Sequence, residues 1–458
     1  MVEIIQGDCL KSLRNLAPKS VNTCVTSPPY FGLRDYGTAE WEGGDEGCNH
    51  SYQVKTPYNK DFNERWGNSP GQKKQESQRH EVTYKGVCKK CGAIRKDSQI
   101  GLEETPEEFV ENLVKVFKEV KRVLRDDGTV WLNLGDSYIS GKSRYSTKEQ
   151  SILGGGNNEQ KLGRLQRGGK KDFYGHPFYK DKDLAGIPWR VAFALQQDGW
   201  YLRQDIIWHK PNPMPESVRD RCTKSHEYIF LLSKSKKYYY DNEAIKEDAV
   251  TGKDLGILRS KQNMSDKYVS AHAQSIQDRK ESGIDSRKAG TGKRNKRSVW
   301  TVTTKPFKGA HFAVFPMDLI EPCVLAGCPE KVCVECSEPY KRITSRNSNP
   351  LEVDDSTLDR YGNGKAGVHR KVGGQYQKWL NENPLVTVGW EKQCDCKTNE
   401  TKGGIVIDPF GGSGTTGLVA QNNNRNAILL ELNPEYIEIA ESRLYPKQRD
   451  FLKARVVA

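Results

Sequence analysis

The chain has 458 residues, with 72 Lys and Arg against 59 Asp and Glu and a formal net charge of +13. That length suits two or three domain-sized units and excludes a small disulfide-stapled scaffold. Hydrophobic residues make up 35% and mean hydropathy is −0.78. No apolar run reaches the roughly 20 residues of a membrane span, and the start MVEIIQGDCL lacks the basic and apolar regions of an export signal. A cytoplasmic protein with no membrane partner is expected, and the basic balance points toward polyanions.

In chain order, VEII (2–5), an amphipathic segment over 10–16 and VNTCVTS (21–27) read as strand, helix and strand of a parallel sheet. A helix is announced at Thr105, which caps it, with Pro106 at the first helical position and Glu108 completing a capping box. Val110, Leu113, Val114, Phe117, Val120 and Leu124 form its apolar face, and Asp127-Gly128 is expected to stop it. TVWLNLG (129–135), a helix over 188–197, WYLRQDIIWHK (200–210) and HEYIFLLS (226–233) continue the alternation. The fold class expected is α/β, a doubly wound and mostly parallel sheet carrying polar inserts. The stretch 140–182 holds ten Lys or Arg against four Asp or Glu, and 242–298 ends in Lys293-Arg294-Asn295-Lys296-Arg297.

Twelve cysteines in a reducing compartment suggest metal rather than disulfides. Cys333-x2-Cys336 with Cys394-x-Cys396 supplies four thiolates in two short chelating turns, the form of a closed tetrahedral zinc site. Cys48-x-His50 with Cys88-x2-Cys91 has the same form with one imidazole. The long separation of His50 from Cys88 leaves open whether the clusters share ligands. Cys9, Cys24, Cys222, Cys323 and Cys328 are expected to pack as small hydrophobes, with Cys328 near enough to be a spare ligand.

Two motifs carry chemistry. GGIVIDPFGGSGTTGLVAQ (403–421) reads as a buried strand, a Gly-rich turn beginning at Asp408 and a helix opening near Thr415. Such a turn lets the backbone approach a ligand at a helix start. It lacks the Gly-Lys-Ser/Thr of a triphosphate loop. Glu431, at the end of the next strand, can accept both hydroxyls of a ribose. Thr26-Ser27-Pro28-Pro29-Tyr30 follows the second strand. Its prolines fix the backbone and leave carbonyls free as acceptors, beside an aromatic ring that can stack on a flat heterocycle. Ser27 Oγ and the Pro28 carbonyl can then accept from an amine.

Together DPFGGSGTT and SPPY resemble the cofactor and catalytic motifs of the S-adenosylmethionine-dependent DNA amino-methyltransferases, the N4-cytosine and N6-adenine enzymes. The catalytic motif comes first, as in their β group, and the resemblance covers 1–36, 100–139, 184–240, 305–327 and 403–446. It implies a Rossmann-like methyltransferase sheet and a catalytic site at Ser27, Pro28, Pro29 and Tyr30. Asp8 is implied at the cofactor adenine amine and Glu431 at the ribose. Asp408, Phe410, Gly412, Gly414, Phe315 and Pro316 are implied at the methionine end. IIWHKPNPMPES (206–217) resembles the segment that helps hold a flipped base.

The organisation expected is a catalytic core over 1–40, 101–241, 305–327 and 403–458. Zinc-binding inserts occupy 41–100 and 328–402, and a target-recognition region 242–304, with 140–182 a second candidate. The resemblance implies double-stranded DNA as partner, S-adenosylmethionine as cofactor and a restriction-associated or phage-borne setting; a homodimer is compatible with it. Direct displacement needs the amine in line with the S–CH3 bond, and a base inside a duplex must be flipped out to reach the pocket. Ser at the first motif position is found in many N4-cytosine enzymes of the family this chain resembles, so the resemblance at Ser27 favours cytosine N4, with adenine N6 the alternative. Pro322-Cys323, which resembles the nucleophile pair of 5-carbon enzymes, reads as helix packing. An RNA or protein-amide methyltransferase and a non-catalytic zinc-dependent DNA-binding protein are the alternatives.

Overall fold

A computed structural model describes residues 1–32, 39–55, 79–84, 86–97, 99–103, 105–139, 178–180, 182–248, 293–305, 314–345 and 385–446. Most of the basic stretch 140–182 and of the expected recognition region 242–304 lies outside them. The chain divides into two units, one of Met1–Tyr238, Val299–Val324 and Ile405–Ala458, the other of Tyr239–Ser298 and Leu325–Gly404.

The large sheet of the first unit has eight strands among the described residues. They are β1 (Val2–Gln6), β2 (Val21–Thr26), β3 (Leu124–Leu134), β4 (Tyr201–His209), β5 (His226–Ser233), β6 (Val299–Thr301), β7 (Ile405–Asp408) and β8 (Asn426–Glu431). Their order is β1-β8-β7-β2-β3-β5-β4-β6. All neighbours pair parallel except β5, which runs antiparallel to β3 and β4. This is the doubly wound, mostly parallel α/β sheet the sequence leads one to expect. Its strands are near-continuous apolar runs, as burial on both faces requires; all six residues of β2 are buried.

Six α-helices accompany the strands among the described residues. They are α1 (Cys9–Asn15), α2 (Pro106–Val123), α3 (Ile187–Gln197), α4 (Met317–Gly327), α5 (Thr415–Asn422) and α6 (Pro434–Leu444). Leu13, Phe117, Val191 and Leu195 bring α1, α2 and α3 into one core with Leu132, Leu134, Phe230 and Leu232. Burying each such side chain stabilises the fold by roughly 1.5–3 kcal/mol. On the other face α5 lies over β2 and β8. Thr416 Oγ1 lies 3.4 Å from the Val25 carbonyl, and Gly417 lies against Leu429 and Val2.

Thr105 caps α2, its Oγ1 accepting from the Glu108 N–H at 3.2 Å. The buried face of α2 is Phe109, Leu113, Val116, Phe117, Val120 and Val123, rotated from the expected one, so that Val110 and Val114 are only half-buried. The helix also ends before Asp127-Gly128. Leu124 already pairs with Val21, and Thr129 pairs with Thr23, so 125–128 form a bulge inside β3. A strand partner overrides the local stop signal. Cys222 departs from expectation too, being exposed rather than packed.

The second unit carries antiparallel pairs, Val332–Cys333 with Thr401–Lys402 and Lys341–Ser345 with Val386–Glu391. Arg342 Nη2 meets buried Asp241 Oδ2 at 2.7 Å. Arg294 and Arg297 both bond Glu247 Oε1, at 2.9 and 3.0 Å, so half of the basic run's four cations fold back onto one carboxylate.

Candidate active site

The seven strands that run together end on one edge of the sheet, and the candidate residues gather there. β2 ends at Thr26, and Ser27-Pro28-Pro29-Tyr30 leaves it as coil, Pro28 buried and the other three half-buried. Phe31 anchors the segment, its ring 5.7 Å from that of Phe109. Tyr30 Oη donates to Glu227 Oε2 at 2.8 Å and lies 3.3 Å from Asn133 Oδ1. Asn133 Nδ2 in turn donates to the Tyr228 carbonyl at 3.0 Å. Lys210 Nζ pairs with the other Glu227 oxygen. The tyrosine ring rests on Gly135, where a Cβ would stand 2.5 Å from the Tyr30 Cε2 atom. Any side chain there would displace the ring.

Asp408 closes β7 and is 1% exposed. Its Oδ1 accepts from Thr26 Oγ1 at 2.6 Å and from the Phe410 N–H at 3.1 Å, and its Oδ2 from Thr416 Oγ1 at 2.6 Å. Burial raises its pKa above the ordinary carboxylate range, with these donors opposing the rise. The Thr26 bond ties the strand bearing Tyr30 to the strand bearing the Gly-rich turn, 382 positions away. The chain turns outward in opposite directions from β7 and β2, so the bond spans the switch point where open α/β sheets place their ligands.

Beyond Asp408, Gly412 and Gly414 adopt φ of +50° and +76°, which favours glycine. Gly414 also lies against Ala440, where a Cβ would approach to 2.9 Å. Glu431 accepts from the Gly412 N–H at 2.7 Å and from the Asn433 N–H at 2.8 Å. Burial again raises its pKa. Asp8 begins α1, its Oδ1 accepting from the Lys11 N–H at 2.9 Å, and Gly7 N–H bonds the Glu431 carbonyl at 2.9 Å. The two carboxylates therefore stand at neighbouring strand ends. Arg443 of α6 holds the turn from behind, donating to Ser413 Oγ at 2.8 Å and Thr415 Oγ1 at 2.9 Å. Phe410 packs against the core. Phe315 and Pro316 lie just before α4; among the described residues no hydrogen bond joins them to the turn. Asn133, Glu227 and Arg443 complete the arrangement without having been singled out from sequence, and Thr26, Lys210 and Thr416, which lie inside quoted segments, gain roles that the sequence did not assign.

The cysteine clusters resolve into two separate groups, Cys48, His50, Cys88 and Cys91 in the first unit and Cys333, Cys336, Cys394 and Cys396 in the second. Within each, the ligand atoms lie within 4.8 Å of one another. Hydrogen bonds from the Asp45 and Ala93 backbone pull the Cys91 thiol down to about 6. Those from Cys336 and Glu335 pull Cys333 to about 7. Cys328 is buried outside both groups.

A family profile described as DNA methylase matches residues 21–335 and 395–442. The Type II methyltransferase M.Cfr9I of Citrobacter freundii is 33% identical over 98% of this chain and 90% of its own. M.SmaI of Serratia marcescens is 33% identical over 96% of this chain and 90% of its own. Among solved structures, the PvuII DNA methyltransferase (cytosine-N4-specific) covers 96% of this chain and 86% of its own at 13% identity and a TM-score of 0.42.

Proposed function

This chain belongs to the DNA methylase family of N6-adenine and N4-cytosine amino-methyltransferases, and from that premise we propose that it moves a methyl group from S-adenosylmethionine to N4 of a cytosine flipped out of duplex DNA. The observation that carries the reading is the 2.6 Å bond from Thr26 to Asp408, which sets SPPY and the Gly-rich turn side by side at the switch point.

The residues fit the cofactor. Asp8 Oδ2 has no partner among the described residues, and a Cβ at Gly412 would meet nothing closer than 3.9 Å, so the turn is open on that side. Asp8 would take the adenine amine and Glu431 the ribose, while Phe410, Gly412, Gly414, Phe315 and Pro316 would border the methionine end. Asp408, with both oxygens engaged inside the protein, acts by fixing the turn. The bound cofactor supplies an electrophilic methyl on a sulfonium. Tyr30, held by Glu227 and Asn133, stacks on the flipped base. Ser27 Oγ and the Pro28 carbonyl accept from its amine and leave the lone pair directed outward. Preorganised acceptors stabilise the charge that develops there as transfer proceeds.

Ser27 is the ground for preferring cytosine. Nucleoside mass spectrometry of DNA from cells expressing the protein should reveal N4-methylcytosine. N6-methyladenine would reassign the base, and no methylated base would overturn the activity. Zinc is the metal proposed for both cysteine groups. Four ligands each leave no open position, so the ions are structural. Metal analysis should return about two equivalents per chain; less than one would refute the assignment.

A further inference from the structure

Residues 210–217 read Lys-Pro-Asn-Pro-Met-Pro-Glu-Ser. Prolines at alternate positions fix φ and disfavour helix in the residue before each, so the segment is stiff and extended before any tertiary contact forms. It is also fastened at three places. Lys210 pairs with Glu227, the acceptor of the Tyr30 hydroxyl. Asn212 exchanges two hydrogen bonds with the backbone of Thr304, at 3.1 and 3.0 Å. Glu216 binds Arg221 at 2.6 Å, and the Arg221 guanidinium lies 3.8 Å over the ring of Tyr138.

Between these fastenings Met214 stands 83% exposed. Isolated apolar side chains on a surface are common. This one differs in being held out by a stiff, anchored segment that gives it no route back to the core. Over 210–224 the side chains Lys210, Arg219, Arg221 and Lys224 stand against Glu216 and Asp220; Lys210 and Arg221 are paired with Glu227 and Glu216, and exposed Arg219 is placed to meet a phosphate. Met214 lies four positions beyond Lys210, a span of at most about 14 Å, similar to the ~12 Å width of the DNA major groove.

We propose that Met214 is a wedge that enters the base stack of duplex DNA at the position the target nucleotide leaves, a reading that rests on the base flipping argued above. Extruding a base uncovers the faces of its neighbours. An unbranched, polarisable thioether can cover them. Because the segment is already ordered, insertion requires little further loss of chain freedom. The Lys210–Glu227–Tyr30 chain of contacts ties the segment that carries the wedge to the ring that receives the base, so emptying the stack and filling the pocket are linked. Met214 is thus a positioning residue and touches neither the amine nor the cofactor.

The test first maps the recognition sequence from methylated DNA, then compares two duplexes carrying it, one fully paired and one with the target base mispaired. Met214→Ala should lower kcat/KM on the paired duplex at least about tenfold, recover to within about threefold of wild type on the mispaired one, and leave cofactor affinity unchanged. Met214→Leu should stay within about threefold on both. Wild-type turnover by Met214→Ala on the paired duplex overturns the wedge, as does an equal loss on both duplexes. So does a dimer that the alanine variant dissociates while turnover is kept, since a second copy would then be what covers Met214. A wild-type enzyme that gains nothing from the mispair defeats the flipping reading, and the wedge with it.

Discussion

The two sides of the active site are held in different ways. On the cofactor side, Asp408 and Glu431 are fixed by neutral donors, two threonine hydroxyls and backbone N–H groups, with no cation bonded to either carboxylate among the described residues. On the base side, Glu227 is fixed by an ammonium and a phenol reaching from other elements. The first arrangement is desolvated and joins groups that already sit at adjoining strand ends. The second is assembled from Tyr30, Asn133, Lys210 and Glu227, each on a different segment. The cofactor side should therefore respond to loss of a group through stability and affinity, and the base side through turnover.

The largest effect that could break this contrast is at Tyr30. Tyr30→Ala should lower kcat at least about 100-fold, while equilibrium binding of radiolabelled S-adenosylmethionine stays near wild type; normal turnover would remove Tyr30 from the chemistry. Next comes Glu431→Ala, which should weaken cofactor binding by about tenfold or more, the size of a hydrogen bond to a charged acceptor. Unchanged binding would remove Glu431 from the cofactor site. Asp408→Ala leaves two buried threonine hydroxyls without their acceptor, so unfolding stability should fall by roughly 1–3 kcal/mol, read from denaturant titration.

The smallest expected effect is a pH dependence. Burial raises the pKa of both Asp408 and Glu431, so their folded forms favour the proton more than the unfolded chain does. Their contribution to stability is fully present below the ordinary carboxylate range and declines as pH rises through the raised values. The double variant Asp408→Asn, Glu431→Gln should lack this decline, so its Tm relative to wild type should improve as pH rises from the ordinary carboxylate range through the raised values. A Tm difference that worsens over that interval would mean the two carboxylates are net stabilised as anions.

The same contrast explains how much could be read in the sequence. Asp408, Gly412, Gly414 and Glu431 lie within one βαβ unit, where local spacing defines a ligand turn. SPPY, which alone would more often be a structural turn, was legible because it stands at a strand end in the same chain as DPFGGSGTT. Glu227 was hidden inside HEYIFLLS, whose apolar pattern announces only a strand, and Thr26 headed the SPPY motif with no partner indicated for its hydroxyl. Their roles depend on which strands become neighbours, and a single chain gives no periodicity for that. The bulge at 125–128 was misread for a related reason, since Asp-Gly is a stop signal until a partner strand takes up Leu124. The cysteine spacing could not exclude shared ligands, and only the fold separates the two groups.

The reversed direction of β5 has a consequence for how such an enzyme can vary. β4 arrives at the ligand edge with His209, and β5, running the other way, departs from that edge with His226. The connection between them opens and closes on the substrate side, whereas a crossover between parallel strands must travel to the opposite edge before it returns. Length or composition can therefore change between these two histidines with no helix to reroute, provided that Lys210 keeps Glu227, Asn212 keeps Thr304 and Arg221 keeps Tyr138. That hairpin is a port at which substrate-facing surface can be exchanged while these fastenings preserve the chemistry beside it.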